Sequence, residues 1–114
     1  MISSDSIRGH LDPIILRLIL ERDRYGYEVS REISRRTLDR FQIKEATLYA
    51  VFQRLEKNQY ITSYEGDVSL GSRRRYYTIT KLGRAYFHRE VEQWNQVKDI
   101  IDLFMKMEET EEHP

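Results

Sequence analysis

Apolar residues in the first part of the chain recur at the spacing of a helix face. Four apolar side chains in residues 7–22 lie four, three and four positions apart, which predicts an amphipathic helix, and Ile15, Leu16, Ile19 and Leu20 widen its apolar face. The four spaced side chains are those of Ile7, Leu11, Ile14 and Leu18. Asp12 and Pro13 suit an N-cap and a first helical residue, so a short separate turn or helix precedes them. The alternative is that Pro13 kinks one longer helix.

A turn at residues 23–26 leads into a second predicted helix, Gly26–Arg36. Residues 37–44 form the connection that follows it. The side chains expected on the inside are Val29 and Ile33 of the helix, and Leu38, Phe41 and Ile43 of the connection. A third helix is predicted over residues 45–58, because apolar residues there fall at positions i, i+3, i+4 and i+7. They are Leu48, Val51, Phe52 and Leu55.

The pattern then changes from helix to strand. Residues 60–65 and 75–79 are rich in β-branched and aromatic side chains, which predicts two strands. Gly66 and Gly71 bracket the loop between them. A helix followed by such a hairpin is typical of a winged helix-turn-helix domain, in which the hairpin is called the wing.

A last helix is predicted over residues 81–107, with Thr80 as its N-cap. From Trp94 onward its apolar residues are three, four and three positions apart, a seam suited to packing against a partner helix. The seam consists of Trp94, Val97, Ile101 and Phe104. The first predicted helix is apolar on several sides as well, so both helices point to a homodimer.

The composition fits one folded domain of 114 residues, with 39% hydrophobic and 33% charged residues. No apolar run approaches the roughly 20 residues that a membrane helix needs. The first residues have no basic and apolar regions of a secretory signal, and the chain has no cysteine. These features predict a cytoplasmic protein without a membrane partner.

The net charge of zero conceals an uneven distribution. Residues 1–90 hold 17 Lys and Arg against 12 Asp and Glu, a balance of +5. Residues 91–114 hold 2 and 7, a balance of −5. A basic body with an acidic tail can bind phosphates locally, although the tail also suits simple solvation of a helix end.

The outward side of the third helix combines short and long polar side chains, as in helices that enter the major groove of DNA. Thr47 and Ala50 suit contacts with thymine methyl groups. Gln53 suits adenine, and Arg54 suits guanine or phosphate. The alternative is an ordinary solvated helix face.

Phosphate contacts are expected from two further places. Lys57, near the end of the third helix, and the hydroxyl of Tyr49 are placed for the DNA backbone. Arg73, Arg74 and Arg75 lie at the far end of the wing loop, with Arg73 and Arg75 expected on one face of the strand and Arg74 on the other. The alternative is a charge run that keeps an edge strand soluble.

Catalytic and metal chemistry are not indicated. His10, His88 and His113 are too scattered for a metal site, and the chain has no Gly-rich phosphate loop, nucleophile elbow or Cys/His pair. The sequence therefore predicts a protein that is not an enzyme and has no metal or other cofactor.

Several short motifs occur in order along the chain. They are Tyr25-Gly26-Tyr27-Glu28, Thr47-Leu48-Tyr49, Arg54-Leu55-Glu56, and Arg75-Tyr76-Tyr77 followed by Thr80 and Gly83. Together they resemble the PadR family of bacterial transcriptional regulators over nearly the whole chain. The single C-terminal helix with one Trp is similar to a small PadR subfamily that includes a multidrug-responsive repressor.

The resemblance implies a homodimer in which the last helix of one subunit packs against the first helical region of the other. It also implies a flat pocket at the dimer interface, lined by Trp94 of both subunits and suited to a planar aromatic ligand. The neighbours expected to line the pocket or interface are Val91, Ile101, Leu11 and Ile15. The alternative is that Trp94 anchors the interface without any ligand.

Three positions depart from the family pattern. Ala50 replaces a common Pro after the Thr-Leu-Tyr motif, so the third helix is less interrupted. Gln59 replaces the usual Gly before the wing, which implies strain if that position needs a positive φ. Lys98 stands where the drug-binding relative has an acid, which disfavours cationic ligands.

These observations predict a mainly α fold with a two-stranded β wing. A winged helix-turn-helix domain covers residues 1–80, and a dimerisation helix with an acidic tail covers residues 81–114, the two forming one structural unit. The predicted function is sequence-specific binding of double-stranded DNA, as a ligand-responsive repressor of a palindromic operator. The alternative is a winged-helix protein–protein module whose arginines meet an acidic partner.

Overall fold

A computed structural model describes residues 4–69 and 72–106 and confirms a mainly α fold with a small antiparallel sheet. The strand order is β1-β3-β2, so β3 lies in the middle. A 3-10 turn, Arg8–His10, separates the first two helices. The elements are α1 Ser4–Ile7, α2 Leu11–Glu21, β1 Arg24–Tyr25, α3 Gly26–Arg36, α4 Glu45–Lys57, β2 Ile61–Ser69, β3 Ser72–Ile79 and α5 Lys81–Met105. Gly71 and the acidic tail over residues 108–114 lie outside the described residues.

The hydrophobic core is built from the faces that the helical spacing predicts. Ile15, Leu16 and Ile19 of α2 are at most 1% exposed. They pack with Val29 and Ile33 of α3, and the buried side of α4 completes the layer. That side consists of Leu48, Val51, Phe52 and Leu55, as predicted. Burial of these side chains is the main force that holds the three helices together.

The start of α2 decides between the two alternatives for Pro13. A short helix and the 3-10 turn precede α2, so no longer helix is kinked at this point. The predicted N-cap is wrong, however, because α2 begins at Leu11, and Asp12 and Pro13 both lie inside its first turn. The missing N–H of Pro13 costs no intrahelical bond there, since the first N–H groups of a helix have no carbonyl partner.

The prediction that Leu38 of the α3–α4 connection lies on the inside is wrong, because its side chain is 80% exposed. The amide of Leu38 donates to the carbonyl of Arg35 and the amide of Asp39 to that of Ser34, which ends α3 in a Schellman motif. Leu38 has φ 52°, and this left-handed backbone directs the side chain to solvent. Phe41 is buried and Ile43 packs against the core, as predicted.

The end of α4 repeats this motif. The amide of Gln59 donates to the carbonyl of Glu56, and the amide of Tyr60 donates to that of Leu55. Gln59 has φ 65°, so the position does need a left-handed backbone and the side chain bears the strain that Gly would avoid. The motif turns the chain directly from α4 into β2.

The sheet differs from the predicted two-stranded wing by a third strand and by longer strands. Arg24 and Tyr25, predicted as part of a turn, pair with Tyr77 and Tyr76 of β3. Gly66 lies within β2 and does not bracket the loop, because a bulge between Glu65 and Val68 lets pairing continue beyond it. The wing is therefore a longer hairpin whose base is held by β1.

A group of charged side chains joins the end of α2 to β1 and α3. Arg24 is 6% exposed; its Nε donates to the carbonyl of Leu18 at 2.8 Å and its Nη2 to Glu21 at 3.1 Å. Glu21 also accepts from Arg17 and Arg36. The hydrogen bond from Arg36, and then that from Arg17, lowers the pKa of the Glu21 carboxyl to about 2, against partial desolvation that raises it.

The C-terminal helix α5 begins as predicted, with the amide of Gly83 donating to the Thr80 hydroxyl at 3.0 Å. Phe87 is buried in the core. Farther along, the described part of α5 keeps an apolar face exposed, called here the α5 face. It consists of Val91, Trp94, Val97, Ile101, Phe104 and Met105, while Ile100 and Leu103 are exposed away from this face. None of the described helices combines the length and apolar character required to cross a bilayer.

The low pKa of Glu21 predicts how acid affects stability. The folded-state pKa lies below the ordinary 4.5, so the contribution of Glu21 is present above about pH 4.5 and is lost as the pH falls towards 2. We expect urea unfolding at fixed protein concentration to show a smaller loss of stability between pH 7 and pH 2.5 for Glu21→Gln than for the unaltered chain. Glu92→Gln is the control, since Glu92 makes no ion pair with a described residue. An equal loss in all three proteins would contradict the prediction.

Candidate nucleic-acid interface

Helices α3 and α4 form a helix-turn-helix whose close approach depends on Gly26. A Cβ at Gly26 would stand 2.3 Å from the hydroxyl oxygen of Tyr49, so no larger residue fits while Tyr49 keeps this position. The ring of Tyr49 meets Phe52 edge to face, with 5.4 Å between ring centroids. Tyr49 thus packs on the neighbouring helix and remains 42% exposed. This contact lets Tyr49 of α4, called here the recognition helix, pack directly against the start of α3.

The outward side of the recognition helix carries four of the predicted DNA-contacting residues, and all are exposed. They are Thr47, Ala50, Gln53 and Lys57. Because Leu48, Val51, Phe52 and Leu55 fill the opposite side, the exposed residues can be presented to a groove without loss of core. The helix has no Pro at position 50 and is continuous from Glu45 to Lys57.

Arg54 has a different environment from the one predicted. Its Nε donates to the Asp12 carboxylate at 3.1 Å, and its Nη2 donates to the other oxygen of the same group. This bidentate contact raises the pKa of Arg54 and ties the recognition helix to the first turn of α2. Arg54 is thus engaged within the chain while its side chain stays 50% exposed, and its contact with guanine or phosphate stays a prediction.

The wing arginines divide between the two faces of the sheet as the strand period predicts. The guanidinium of Arg74 lies over the Tyr25 ring, 4.4 Å from its centroid, on the face that includes Tyr76. Arg73 and Arg75 are exposed and alternate onto the other face with Tyr77. Tyr77 stacks on Phe52 of α4 with 4.0 Å between centroids, so this second face adjoins the recognition helix.

Arg75 is connected to the recognition helix by two hydrogen bonds that the sequence did not predict. The Nε of Arg75 donates to the hydroxyl of Ser63 at 3.2 Å, and that hydroxyl donates to the carboxylate of Glu56 at 2.9 Å. Arg73 has a looser contact, 3.8 Å from the exposed carboxylate of Glu65. The only sequence signal was Glu56 within the Arg-Leu-Glu motif, whose partner 7 residues away could not be inferred without the strand register.

The other face of the sheet holds the wing to the domain through tyrosines. Tyr76 contacts Tyr25 and Tyr64, with centroids 5.5 and 5.7 Å apart. A Cβ at Gly66 would stand 2.4 Å from the Tyr76 ring, so Gly is needed under it. The hydroxyl of Tyr64 donates to Asp23 at 2.6 Å, which raises the pKa of Tyr64 to about 12. These contacts keep β2 in a fixed position relative to β1.

The sequence matches the transcriptional regulator PadR-like family over residues 15–89, which is more than half of the chain. The chain belongs to the PadR-like family of transcriptional regulators. Members of this family are DNA-binding regulators and not enzymes. The match runs from α2 through the wing to the buried part of α5 and thus includes the whole interface described above.

Relatives of this PadR-like protein agree in sequence and in fold. An uncharacterised protein from Lysinibacillus sphaericus is 68% identical, and the match covers 93% of this chain and 97% of that one. A transcriptional regulator from Clostridium thermocellum is 49% identical with a TM-score of 0.83, over 91% of this chain and 98% of that chain. A PadR family transcription regulator from Clostridium difficile is 31% identical with a TM-score of 0.74, over 85% and 99%.

A second candidate site in this PadR-like protein is a groove of about 630 Å³ between the N-terminal turns, α2 and α5. Its apolar lining includes Ile7, Ile14, Leu18, Phe41, Val91, Trp94 and Val97. The Trp94 ring meets His10 edge to face, with centroids 5.2 Å apart. Arg17, Arg36 and Glu90 are charged residues of the lining. An apolar trough with one half-exposed indole suits either a flat apolar molecule or a partner helix.

The structure separates the residues predicted to line this groove. Val91 and Trp94 line it, and Ile101 is exposed one turn beyond it on the α5 face. Leu11 and Ile15 are not among the residues that line the groove, and their side chains, 6% and 0% exposed, pack in the core, so the prediction that they line a pocket is corrected. Ile14 and Leu18 of the same helix point to the groove in their place. In residues 4–69 and 72–106, no group of His, Asp and Glu could hold a metal ion.

Proposed function

We propose that this PadR-like protein is a homodimeric repressor that binds an operator with two-fold symmetry and releases it when a ligand occupies the dimer interface. The observation that carries the DNA part is that the exposed arginines of the wing, Arg73 and Arg75, lie on the sheet face that packs on the recognition helix, with Arg75 joined to that helix through Ser63 and Glu56. Gln53, Thr47 and Ala50 would meet base edges in the major groove. Lys57, Tyr49 and the wing arginines would contact phosphates.

The dimer is supported by the α5 face. Ile101, Phe104 and Met105 lie on one side of the helix and are 46%, 73% and 77% exposed, and a patch of apolar side chains of this size is costly to leave in water. A second copy would cover it by pairing the α5 helices and filling the groove beside Trp94. In this proposal residues 1–80 contact DNA, and residues 81–114 join two such units, giving half-sites about 10 bp apart.

The ligand response is supported by Trp94, which is 47% exposed in an apolar groove. Two symmetry-related indoles could enclose a planar aromatic molecule. A ligand that favours one angle between the two DNA-binding units would oppose DNA binding through linked equilibria. The alternative is that Trp94 only anchors the dimer.

The rival function is a winged-helix protein–protein module without a DNA role. It would use the same arginines to meet an acidic partner, and competitor DNA would not displace that partner. Family membership favours regulation of transcription, which in a bacterial cell takes place in the cytoplasm.

DNA binding should depend steeply on salt and on the wing. With genomic fragments selected by binding, we expect the dissociation constant measured by fluorescence anisotropy to rise linearly with KCl on logarithmic axes, because Lys and Arg displace counterions. Arg75→Ala should weaken binding to all fragments and reduce the slope by about 1. Gln53→Ala should instead change the preference between fragments, by about 1–3 kcal/mol at the affected base pair.

Arg89→Ala is the matched control, because it removes the same charge from an exposed position on α5. Its effect on the dissociation constant should be small beside that of Arg75→Ala. Binding that does not depend on salt, or an equal effect of the two substitutions, would contradict the proposed interface.

Self-association should depend on the α5 face. We expect sedimentation equilibrium to give a dimer for the unaltered protein, and Phe104→Asp to raise the dimer dissociation constant by about tenfold or more, since a charge would be buried in an apolar contact. Leu38→Asp is the control, because Leu38 is equally apolar and 80% exposed but lies outside α5. A monomeric wild type, or dimerisation that survives Phe104→Asp unchanged, would refute the assignment of α5.

The ligand site can be examined through the single Trp of the chain. Titration with a panel of planar aromatic compounds that do not bind DNA should quench Trp94 fluorescence for some of them. Those compounds should weaken DNA binding, and Trp94→Ala should abolish that weakening. Absence of quenching across the panel would favour the interface-anchor alternative.

A further inference from the structure

We propose that Ser63 is a positioning residue that holds the Arg75 guanidinium in the orientation required for a DNA phosphate, with Glu56 fixing Ser63. The inference rests on the proposed function and concerns how the wing and the recognition helix act as one DNA-binding surface. It begins from the hydrogen-bonded chain that runs from Arg75 through Ser63 to Glu56.

The hydroxyl of Ser63 uses its bonding capacity in a defined direction. A Ser hydroxyl has one proton to donate and lone pairs to accept with. The proton goes to the Glu56 carboxylate, so a lone pair is left to accept the Nε–H of Arg75. Glu56 therefore fixes the orientation of the Ser63 hydroxyl. With its proton directed at Glu56, the hydroxyl oxygen has a lone pair free to accept the hydrogen bond from Arg75.

The hydrogen bond to Ser63 uses only the Nε of the Arg75 guanidinium and leaves its two Nη groups available to bind a phosphate. The hydrogen bond to Ser63 comes from Nε alone, and within the described residues Nη1 and Nη2 have no hydrogen-bond or ion-pair partner. The two Nη groups carry the paired N–H donors that match the oxygens of a phosphate. Arg75 is thus held at its base with its phosphate-binding end exposed.

Holding the side chain in advance lowers the entropic cost of binding. A long exposed Arg loses rotamer freedom when it binds a phosphate, and a prior contact at Nε removes part of that loss. Arg73 lacks such a support, because its contact with Glu65 is 3.8 Å long and Glu65 is itself 72% exposed. The effect of Ser63 should therefore be specific to Arg75.

These two hydrogen bonds also fix the position of the Arg75 side chain relative to the recognition helix. Glu56 lies three positions after Gln53 on α4, so both are on neighbouring turns of one rigid helix. The orientation of the Arg75 side chain is therefore set by contacts that lead to α4 and not by the loop at the tip of the wing. A phosphate held by Arg75 would then lie at a fixed distance from the base read by Gln53.

The test is a double-mutant cycle on the full chain with the selected genomic fragments. We expect Ser63→Ala to weaken DNA binding about threefold to tenfold. In an Arg75→Ala background, Ser63→Ala should weaken binding less than about twofold, because nothing remains to be positioned. In an Arg73→Ala background it should keep its full effect. Glu56→Ala, which removes the acceptor of the Ser63 proton, should also depend on Arg75, with a more favourable effect on binding in the Arg75→Ala background than in the unaltered chain.

Two readouts separate positioning from a general structural role. The salt dependence should stay unchanged in Ser63→Ala, since Arg75 keeps its charge, but should fall by about 1 in slope for Arg75→Ala. Urea unfolding of Ser63→Ala should match that of Thr62→Ala, an exposed neighbour on the opposite face of β2. Thr62→Ala should leave DNA affinity unaltered.

Equal losses from Ser63→Ala in the presence and absence of Arg75 would overturn the positioning role. So would a loss matched by Thr62→Ala. In both cases the proposed function would stand, because the unaltered protein would still bind DNA. Failure of the unaltered protein to bind any fragment would instead overturn the proposed function and this inference together.

Discussion

The stacking of Tyr77 on Phe52 is the contact on which the rest of the domain depends. Tyr77 belongs to the central strand of the sheet and is 4% exposed, and Phe52 lies in the middle of the recognition helix and is 1% exposed. Their burial, which also raises the pKa of the Tyr77 hydroxyl, joins the wing to the helix-turn-helix through the hydrophobic core. Without it only the two-residue pairing with β1 and the tyrosine contacts of the other face would hold the wing to the domain, and a hairpin with so little support is only marginally stable in water.

The sequence predicts those parts of the fold that a local period controls. The buried side of α4, the cap at Thr80 and the alternation of the wing arginines all follow from spacing within one element. Strand β1 was missed because two residues are too short to show a period, and its pairing with β3 spans more than 50 positions. Leu38 was misplaced because hydrophobicity does not reveal a left-handed backbone at the end of a helix.

In the candidate site as well, features within one element could be predicted from the sequence, and contacts between distant elements could not. The exposed position of Gln53 and its neighbours on α4 could be predicted from the helical period alone. The engagement of Arg54 by Asp12 could not, because these residues are 42 positions apart and come together only when α2 packs across α4. Leu11 and Ile15 were assigned to an interface because α2 is apolar on several sides, and hydrophobicity cannot tell which side meets the core and which meets the groove.

The joint between the wing and α5 couples the last helix closely to the DNA-binding part of the protein. Thr80 alone separates β3 from α5; its amide donates to the carbonyl of Tyr60, and its hydroxyl donates to that of Gln59. The ring of Tyr60 also stacks on Tyr86 of α5 with 4.3 Å between centroids. The first turns of α5 are thereby fastened to the end of the recognition helix. A rotation of the outer part of α5 about its own axis would therefore turn the winged helix-turn-helix domain with it as one unit.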